Sequence, residues 1–273
     1  MLKDKITCLI FSCDKFSDLW SANIKLFREN WPDRDFDAFI VTDRPSDRTF
    51  PDVKIIAAGA NMEWSERLKY ALQYVKTDYV FVTLDDYFLI KKVDSRRMEH
   101  LVDIMISDGY DYIRLYKNPT RATGKRITRE SGLYQIINNT NYSVNLYSGF
   151  WSKNFFEYCV NEPRTAWMFE VQLHERAVEY DAHCLVDYDE DYKILDVVRK
   201  GKILHKANRY FKKHPGLYDG ERELQTFSYE IKLWFKTFVQ ENTPKFLFNV
   251  VRSIYVKFGG QSFSYQRDNE IRE

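Results

Sequence analysis

The sequence lacks both glycine-rich motifs that commonly bind nucleotide phosphates. Neither GxGxxG nor GxxxxGK[ST] occurs in the 273 residues, and the turn after the first predicted strand, residues 12–15, contains no glycine. A conventional dinucleotide-binding fold and a P-loop NTPase are therefore excluded. A diphosphate bound by this chain would have to be neutralised in another way, and a metal ion held by carboxylates is the common alternative.

A strong net charge, paired cysteines and long apolar runs are missing as well. The 41 basic and 40 acidic residues leave a net charge of +1, which argues against a nucleic acid partner. The four cysteines form no CxxC pair and no zinc-ligand spacing. No segment approaches the roughly 18 apolar residues of a membrane span, and the run 6–11 is too short for a signal peptide. We therefore expect a cytoplasmic protein with reduced thiols.

Buried-strand patterns alternate with helical patterns along the chain. Strands are predicted at 6–11, 38–42, 53–56, 79–84, 110–115 and 142–147, and helices at 17–31, 64–75, 98–106 and 163–179. Such alternation is typical of an α/β fold with a doubly wound, Rossmann-like, mainly parallel sheet flanked by helices.

The stretch Tyr79 to Leu89 is central to the functional interpretation. Six apolar residues, Tyr79–Leu84, read as a strand buried on both faces, and Asp85 and Asp86 follow at its end. In open α/β sheets ligands bind outside the carboxyl ends of the strands, where two carboxylates can hold a hard cation against a phosphate. The alternative is that the pair only opens a surface turn.

Other polar residues at strand ends are candidates for nucleotide contacts. They are Ser12, Asp14 and Asp43, together with Arg67 in the helix that precedes the aspartate strand. Each could equally be an ordinary turn residue or a solvated charge. Glu170 lies among bulky apolar residues, which should raise the pKa of its carboxyl group and suits a general base.

Four segments in this order resemble the GT-A glycosyltransferases, particularly the bacterial enzymes that build capsule, O-antigen or exopolysaccharide. The matching segments are Leu84-Asp85-Asp86-Tyr87-Phe88, Tyr147-Ser148-Gly149-Phe150-Trp151, Trp167-Met168-Phe169-Glu170 and Val197-Val198-Arg199-Lys200-Gly201-Lys202-Ile203-Leu204-His205. The resemblance covers about residues 5–210, and LDDYFL with the preceding WSERLKYAL helix is its most specific part.

The resemblance implies a Mn²⁺- or Mg²⁺-dependent transfer of a sugar from a nucleotide-sugar, by default a UDP-sugar. Asp86 would bind the metal directly, and Asp85 would assist through the ribose or the metal's waters. His205 would be a third group, on the metal or on the diphosphate. Gly149 would border the donor, and Glu170 would deprotonate the acceptor hydroxyl. The acceptor would be a lipid-linked saccharide in the synthesis of a surface polysaccharide such as capsule or lipopolysaccharide. The transfer would invert the configuration of the anomeric carbon.

Two motifs depart from the family pattern, and two other functions stay open. Where the family has Asp-x-Asp, this chain has Leu84-Asp85-Asp86. Where the family's base motif has an acidic residue followed by Asp, this chain has Phe169-Glu170-Val171. His214 is an alternative to His205 for the histidine of the family pattern. A nucleotidyltransferase would share the layout, although it would normally carry a glycine-rich, basic loop after the first strand. A non-catalytic saccharide-binding or assembly module is the other alternative.

The chain changes character near its C-terminus. We expect a GT-A-like domain over residues 1–215 and a helical appendage over 216–273, with an aromatic-rich, mildly basic pair of helices between residues 224 and 258. Such helices suit peripheral contact with the inner face of the cell membrane. Packing on the sheet domain or on a second subunit, as a homodimer, is the alternative.

Overall fold

The structure is a computed structural model and describes residues 1–116, 123–127, 132–138 and 142–242. The α-helices of these residues are α1 (Trp20–Asn30), α2 (Trp64–Leu72), α3 (Ser95–Asp108), α4 (Lys153–Tyr158), α5 (Ala166–Glu179), α6 (His205–Lys213) and α7 (Phe227–Asn242). The strands are β1 (Ile6–Phe11), β2 (Ala38–Thr42), β3 (Lys54–Ala57), β4 (Tyr79–Leu84), β5 (Tyr87–Leu89), β6 (Tyr112–Arg114), β7 (Thr123–Arg126), β8 (Leu133–Ile136), β9 (Gly149–Ser152), β10 (Cys184–Asp187), β11 (Ile194–Asp196), β12 (Val198–Arg199) and β13 (Lys202–Ile203). Short 3-10 helices cover Leu2–Asp4 and Asp14–Leu19.

Nine strands form one mixed sheet in the order β3-β2-β1-β4-β9-β6-β10-β8-β7. The first four are parallel to one another. Strand β9 runs antiparallel to both β4 and β6, and β10 is parallel to β6, so β4, β6 and β10 point the same way. Strand β8 is antiparallel to β10 and to β7. Seven of the nine strands therefore share one direction, which confirms the predicted mainly parallel α/β sheet.

Helices cover both faces of this sheet, because its central strands are apolar on both sides. All six residues of β1 are buried, and they alternate between two apolar clusters. One cluster contains the buried faces of α1 and α3, and the other contains those of α2, α4 and α5. This two-sided burial holds the carboxyl ends of β1, β2 and β4 at one edge of the sheet.

A third, smaller apolar cluster supports the segment that follows β4. Strand β5 pairs antiparallel with β11, and β12 pairs with β13 as a hairpin. Phe88, Leu195 and Leu217 are buried here against α1 and α6. The pairing places residues 194–204 directly beside the residues that end β4.

The strand predicted at 142–147 is wrong, because these residues form turns and bends. Tyr142 has a φ of 63°, outside the range of a β-strand. The Asn145 side chain donates to the Tyr142 carbonyl (3.1 Å) and accepts from the Tyr147 N–H (3.2 Å). An asparagine that bonds nearby backbone groups in this way competes with strand pairing. The strand of this region is β9, which follows these turns.

The other predicted elements are found with boundaries that differ by a few residues. Helix α2 ends at Leu72 instead of residue 75, because Tyr74 and Val75 donate to the carbonyls of Ala71 and Leu72, three residues earlier. Such i to i−3 bonds tighten the end of a helix into a 3-10 turn.

After residue 215 the chain contacts the N-terminal part of the domain through Arg222, before helix α7 begins. Arg222 forms a bidentate ion pair with Asp18, with Nη2–Oδ1 at 2.6 Å and Nε–Oδ2 at 2.7 Å. Helix α7 follows, and the second helix predicted before residue 258 lies outside the described residues. The domain boundary at residue 215 stays a prediction. Among the residues the structure describes, no helix has the length and apolar character needed to span a membrane.

Candidate functional site

The predicted polar residues at the ends of β1 and β4 lie in contact. The Ser12 hydroxyl donates to Oδ2 of Asp85, and the backbone N–H of Asp85 donates to the Phe11 carbonyl (3.1 Å). This arrangement follows from the parallel register, in which Phe11 pairs with Leu84, so that the next residue of each strand emerges at the same edge. Ser12 and Asp85 therefore lie side by side at the carboxyl ends of β1 and β4.

The turn after β1 is tied to the end of β2 in the same way. The Asp14 N–H donates to Oδ1 of Asp43 (2.6 Å), and the Ser12 N–H donates to the Val41 carbonyl (2.8 Å). Partial burial raises the pKa of Asp43, but the hydrogen bonds from the backbone outweigh it and leave the pKa below its usual value. Asp43 is therefore an ionised acceptor at neutral pH.

Arg67 reaches the turn after β1 from α2. Its Nη1 donates to the Ser12 carbonyl (2.9 Å), and its Nε is buried without a hydrogen-bond partner among the described residues. A buried guanidinium donor with no partner costs free energy unless a ligand satisfies it. The structure thus brings together Ser12, Asp14, Asp43, Arg67 and Asp85.

Two residues of α1 that the sequence analysis assigned to no site organise Asp85. The indole Nε1 of Trp20 donates to the Ser12 hydroxyl (2.7 Å), which in turn donates to Asp85. The Asn23 amide donates to the carbonyls of Asp85 (3.0 Å) and Tyr87 (3.2 Å). Asn23 is buried at a helical position that otherwise reads as core, and a buried amide inside an apolar face is the signal that could have identified it.

The two adjacent aspartates have different surroundings. Asp85 is only 7% exposed, and burial raises the pKa of its carboxyl group to about 7 despite the hydrogen bond from Ser12. Burial also raises the pKa of Asp86 well above its usual value, and the charges of Asp85 and Asp196 add to this effect. Oδ1 of Asp86 is buried and has no hydrogen-bond partner among the described residues. A divalent cation is the kind of group that such an oxygen accepts.

Asp196 and Arg199 complete the surroundings of Asp86, and the sequence analysis did not single them out. Nε of Arg199 donates to Oδ2 of Asp196 (2.8 Å), and its Nη2 lies 2.6 Å from the same oxygen. Burial opposes the charge of Arg199, but Asp196 outweighs it and raises the pKa of the guanidinium. The pattern Asp-x-x-Arg directly after a short strand is the signal that could have pointed to this ion pair.

Glu170 of α5 lies within the electrostatic influence of the same guanidinium. Its Oε1 accepts from the Leu146 N–H (3.0 Å), and burial raises the pKa of its carboxyl group, as predicted. The positive charge of Arg199 acts in the opposite direction on the pKa of Glu170 and also on that of Asp86. Arg199 therefore lies near both the predicted metal ligand and the predicted base.

Gly149 and His205 have structural surroundings that explain their presence without a ligand. A Cβ atom on Gly149 would lie 2.5 Å from the Ile113 carbonyl, so close strand packing requires glycine there. Nδ1 of His205 lies 2.8 Å from Oε1 of Glu230, and its ring packs on Phe227. The roles of Gly149 in donor binding and of His205 in metal binding stay predictions.

A second acidic cluster lies at the end of β10. Carboxylate oxygens of Asp187, Asp189 and Asp191 lie within 4.8 Å of one another and could hold a divalent metal. Burial raises the pKa of Asp187 to about 6. Arg97 of α3 already contacts this cluster, with its Nε 2.9 Å from Oδ2 of Asp191. The sequence Asp-x-Asp-x-Asp after a strand could have identified it.

Comparisons with known proteins yield similar folds. No protein-family model and no curated protein matches the chain. Solved structures that match include S. aureus TarS residues 1–349 in complex with UDP, at 11% identity and a TM-score of 0.48, over 69% of this chain and 59% of that one. UDP-glucose pyrophosphorylase complexed with UDP-glucose matches at 12% identity and a TM-score of 0.48, over 77% of this chain and 99% of that one.

A third match is CMP:2-keto-3-deoxy-manno-octonic acid synthetase complexed with CTP, at 12% identity and a TM-score of 0.44, over 77% of this chain and 96% of that one. The chain spans less than two thirds of the TarS fragment. All three TM-scores lie below 0.5, and the α/β fold rests on the strand order and pairing of this chain. An activity has to be argued from the residues of the site.

Proposed function

We propose that this protein is a metal-dependent glycosyltransferase that moves a sugar from a nucleotide-sugar donor to a hydroxyl group of a saccharide acceptor. The observation that carries the proposal is that two carboxylates with separate tasks, Asp86 and Glu170, both lie within the electrostatic influence of Arg199. Asp86 has a buried carboxylate oxygen with no hydrogen-bond partner among the described residues, and Glu170 is a half-buried residue whose carboxyl group has a raised pKa. A donor diphosphate needs a cation, which the Asp86 oxygen can bind. An acceptor hydroxyl needs a general base, which the Glu170 carboxyl group can supply.

The donor would occupy the crevice at the ends of β1, β2 and β4. Asp43 and Arg67 offer an ionised acceptor and an unpaired buried donor for the polar groups of the nucleoside, while Ser12, Asp14 and Asp85 line the turn beside them. Gly149 is proposed to border the sugar. A UDP-sugar is the default donor by resemblance to the GT-A enzymes.

The residues around Asp86 fit a divalent cation. Carboxylate oxygens are the ligands that Mn²⁺ and Mg²⁺ prefer, and Asp86 presents one that no described residue satisfies. Asp85 would assist, and His205 is proposed as a third group. When bound, the cation would stabilise the negative charge that develops on the leaving diphosphate.

Glu170 is proposed to act on the acceptor. Its carboxylate would take the proton of the attacking hydroxyl while the bond from that oxygen to the anomeric carbon forms. The bond between the anomeric carbon and the diphosphate oxygen breaks, and the electron pair leaves with the nucleotide. A single displacement of this kind inverts the anomeric carbon.

The test is turnover of a nucleotide-sugar by Glu170→Gln. Without a known acceptor, water can serve as the nucleophile, and the released nucleoside diphosphate is measured. Loss of a general base typically lowers turnover by about 10²–10⁴-fold, whereas calorimetry should find donor affinity little changed. Glu175→Gln, at an exposed position of the same helix, is the matched control. Hydrolysis by Glu170→Gln at the wild-type rate would contradict the assignment of the base.

We also propose that α7 lies on a membrane surface, as suits a lipid-linked acceptor of surface polysaccharide synthesis at the inner face of the cell membrane. Its described apolar side chains are exposed, among them Trp234 at 64% and Phe235 at 59%. Aromatic and apolar residues on one helix, followed in sequence by Lys245, Arg252 and Lys257, are typical of interfacial helices.

Cosedimentation with anionic vesicles tests this surface. We expect the wild-type chain to bind and the double variant Trp234→Glu, Phe235→Glu to lose binding while donor affinity is kept. Equal vesicle binding by both proteins would contradict the proposal. A wild-type chain that sediments as a dimer, with the double variant monomeric, would instead assign α7 to a homodimer contact.

A further inference from the structure

Carboxylates lie both at the end of β10 and at the end of β4, and the two places differ in the positive charge that already contacts them. The group at the end of β10 contacts Arg97, whose Nε lies 2.9 Å from Asp191 and whose Nη2 lies 3.5 Å from Asp187 and 3.9 Å from Asp189. One guanidinium thus approaches all three carboxylates, and a cation would have to compete with it.

The group at the end of β4 is assembled by strand pairing. In the antiparallel β5–β11 ladder Asp196 pairs with Tyr87, the residue that follows Asp86. The Val197 N–H donates to the Asp86 carbonyl at 3.0 Å, which fixes the two segments at this point. Residues that are more than 100 positions apart in sequence are therefore brought side by side by backbone hydrogen bonds.

The carboxylate oxygens of this group are only partly satisfied. Oδ1 of Asp86 and Oδ1 of Asp196 are both buried, and neither has a hydrogen-bond partner among the described residues. Oδ2 of Asp196 is occupied by Arg199, so the free oxygen of that carboxylate is the other one. Each unpaired buried carboxylate oxygen costs free energy unless a cation or another ligand satisfies it.

We propose that Asp196 is the second protein carboxylate of the cation site at Asp86, and that Arg199 orients it. This inference rests on the proposed metal-dependent function and names a ligand for it. Arg199 would act as a positioning residue, since it holds one oxygen of Asp196 and leaves the other directed at the cation. Orientation of a metal ligand by a neighbouring hydrogen bond is a general feature of metal sites.

The test is the affinity of the full chain for MnCl₂, titrated alone and in the presence of UDP, by calorimetry and by the Mn²⁺ electron paramagnetic resonance signal. We expect Asp86→Asn and Asp196→Asn each to weaken Mn²⁺ binding at least tenfold. Arg199→Met keeps both carboxylates and should weaken it by a smaller factor. Asp187→Asn, in the cluster held by Arg97, should bind Mn²⁺ like the wild type, and thermal unfolding should confirm that every variant is folded.

The possible results separate this inference from the proposed function. If the wild type binds UDP in a Mn²⁺-dependent manner and Asp196→Asn binds Mn²⁺ unchanged, the assignment of Asp196 is overturned while the function stands. If Asp187→Asn loses Mn²⁺ instead, the cluster at the end of β10 is the site and the assignment is again overturned. If the wild type binds no Mn²⁺ with or without UDP, both the assignment and the metal-dependent function are overturned.

Discussion

The substitution Asp85→Asn should remove part of the pH dependence of the free energy of unfolding. Burial raises the pKa of Asp85 from 3.8 to about 7 in the folded protein. Between these two values the folded state binds more protons than the unfolded state, so the free energy of unfolding falls as the pH rises from about 4 to about 7. A shift of this size corresponds to at most about 4 kcal/mol.

An amide at this position has the same shape and can still accept the hydrogen bond from Ser12, but it carries no charge at any pH. We therefore expect Asp85→Asn to be more stable than the wild type at pH 8 in the presence of a chelator, and the two to converge near pH 4. For a chain of this size each kcal/mol corresponds to a change in Tm of roughly 2–4 °C.

The assay is thermal and urea unfolding from pH 4 to pH 8 in EDTA. Asp78→Asn, at the exposed opposite end of β4, is the control and should follow the wild-type curve. Asp187, whose pKa burial raises to about 6, contributes to the slope in all three proteins and cancels in the comparison. An Asp85→Asn curve parallel to that of the wild type across this range would refute the reasoning.

Three further substitutions test the surroundings of the site. Gly149→Ala should lower the free energy of unfolding by about 1–3 kcal/mol in urea, because its Cβ would lie 2.5 Å from the Ile113 carbonyl; unchanged stability would contradict this close packing. Trp20→Phe removes the indole N–H that lies 2.7 Å from the Ser12 hydroxyl, and it should lower the free energy of unfolding by about 1 kcal/mol. Calorimetry should also show weaker binding of the nucleotide-sugar; wild-type affinity would show that Trp20 does not organise the donor site. His205→Ala removes the contact with Glu230 at 2.8 Å and should lower the Tm; Mn²⁺ affinity equal to that of the wild type would rule out the predicted metal role of His205.

Much of the donor side of the site could be predicted from the sequence. Strands β1, β2 and β4 are continuous apolar runs, and residues that follow parallel strands must meet at one edge of the sheet. For this reason Ser12 and Asp85, 73 positions apart, could be placed together before any contact was known. Glu170 could be assigned a raised pKa from its apolar neighbours alone.

The acidic partner of Asp86 could not be predicted in this way. Asp196 reaches Asp86 through a two-stranded ladder of only three residues on each side, and such short strands leave almost no period in the sequence. The turns at 142–147 also could not be predicted, because the sequence pattern there is that of a strand. Their buried apolar residues alternate as in a strand, whereas the hydrogen bonds of Asn145 that break the ladder are visible only in three dimensions.

The most direct test of the central claim is thermal unfolding against UDP-, GDP-, CMP- and dTDP-sugars, each with and without MnCl₂, for the wild type, Asp86→Asn and the control Asp78→Asn. A ligand at about 100 times its Kd adds roughly 2.7 kcal/mol to the free energy of unfolding. We predict that one class of nucleotide raises the Tm of the wild type and the control in a metal-dependent manner and leaves Asp86→Asn unchanged. Folded wild-type protein that responds to none of the four nucleotides, with or without metal, would contradict the proposed function.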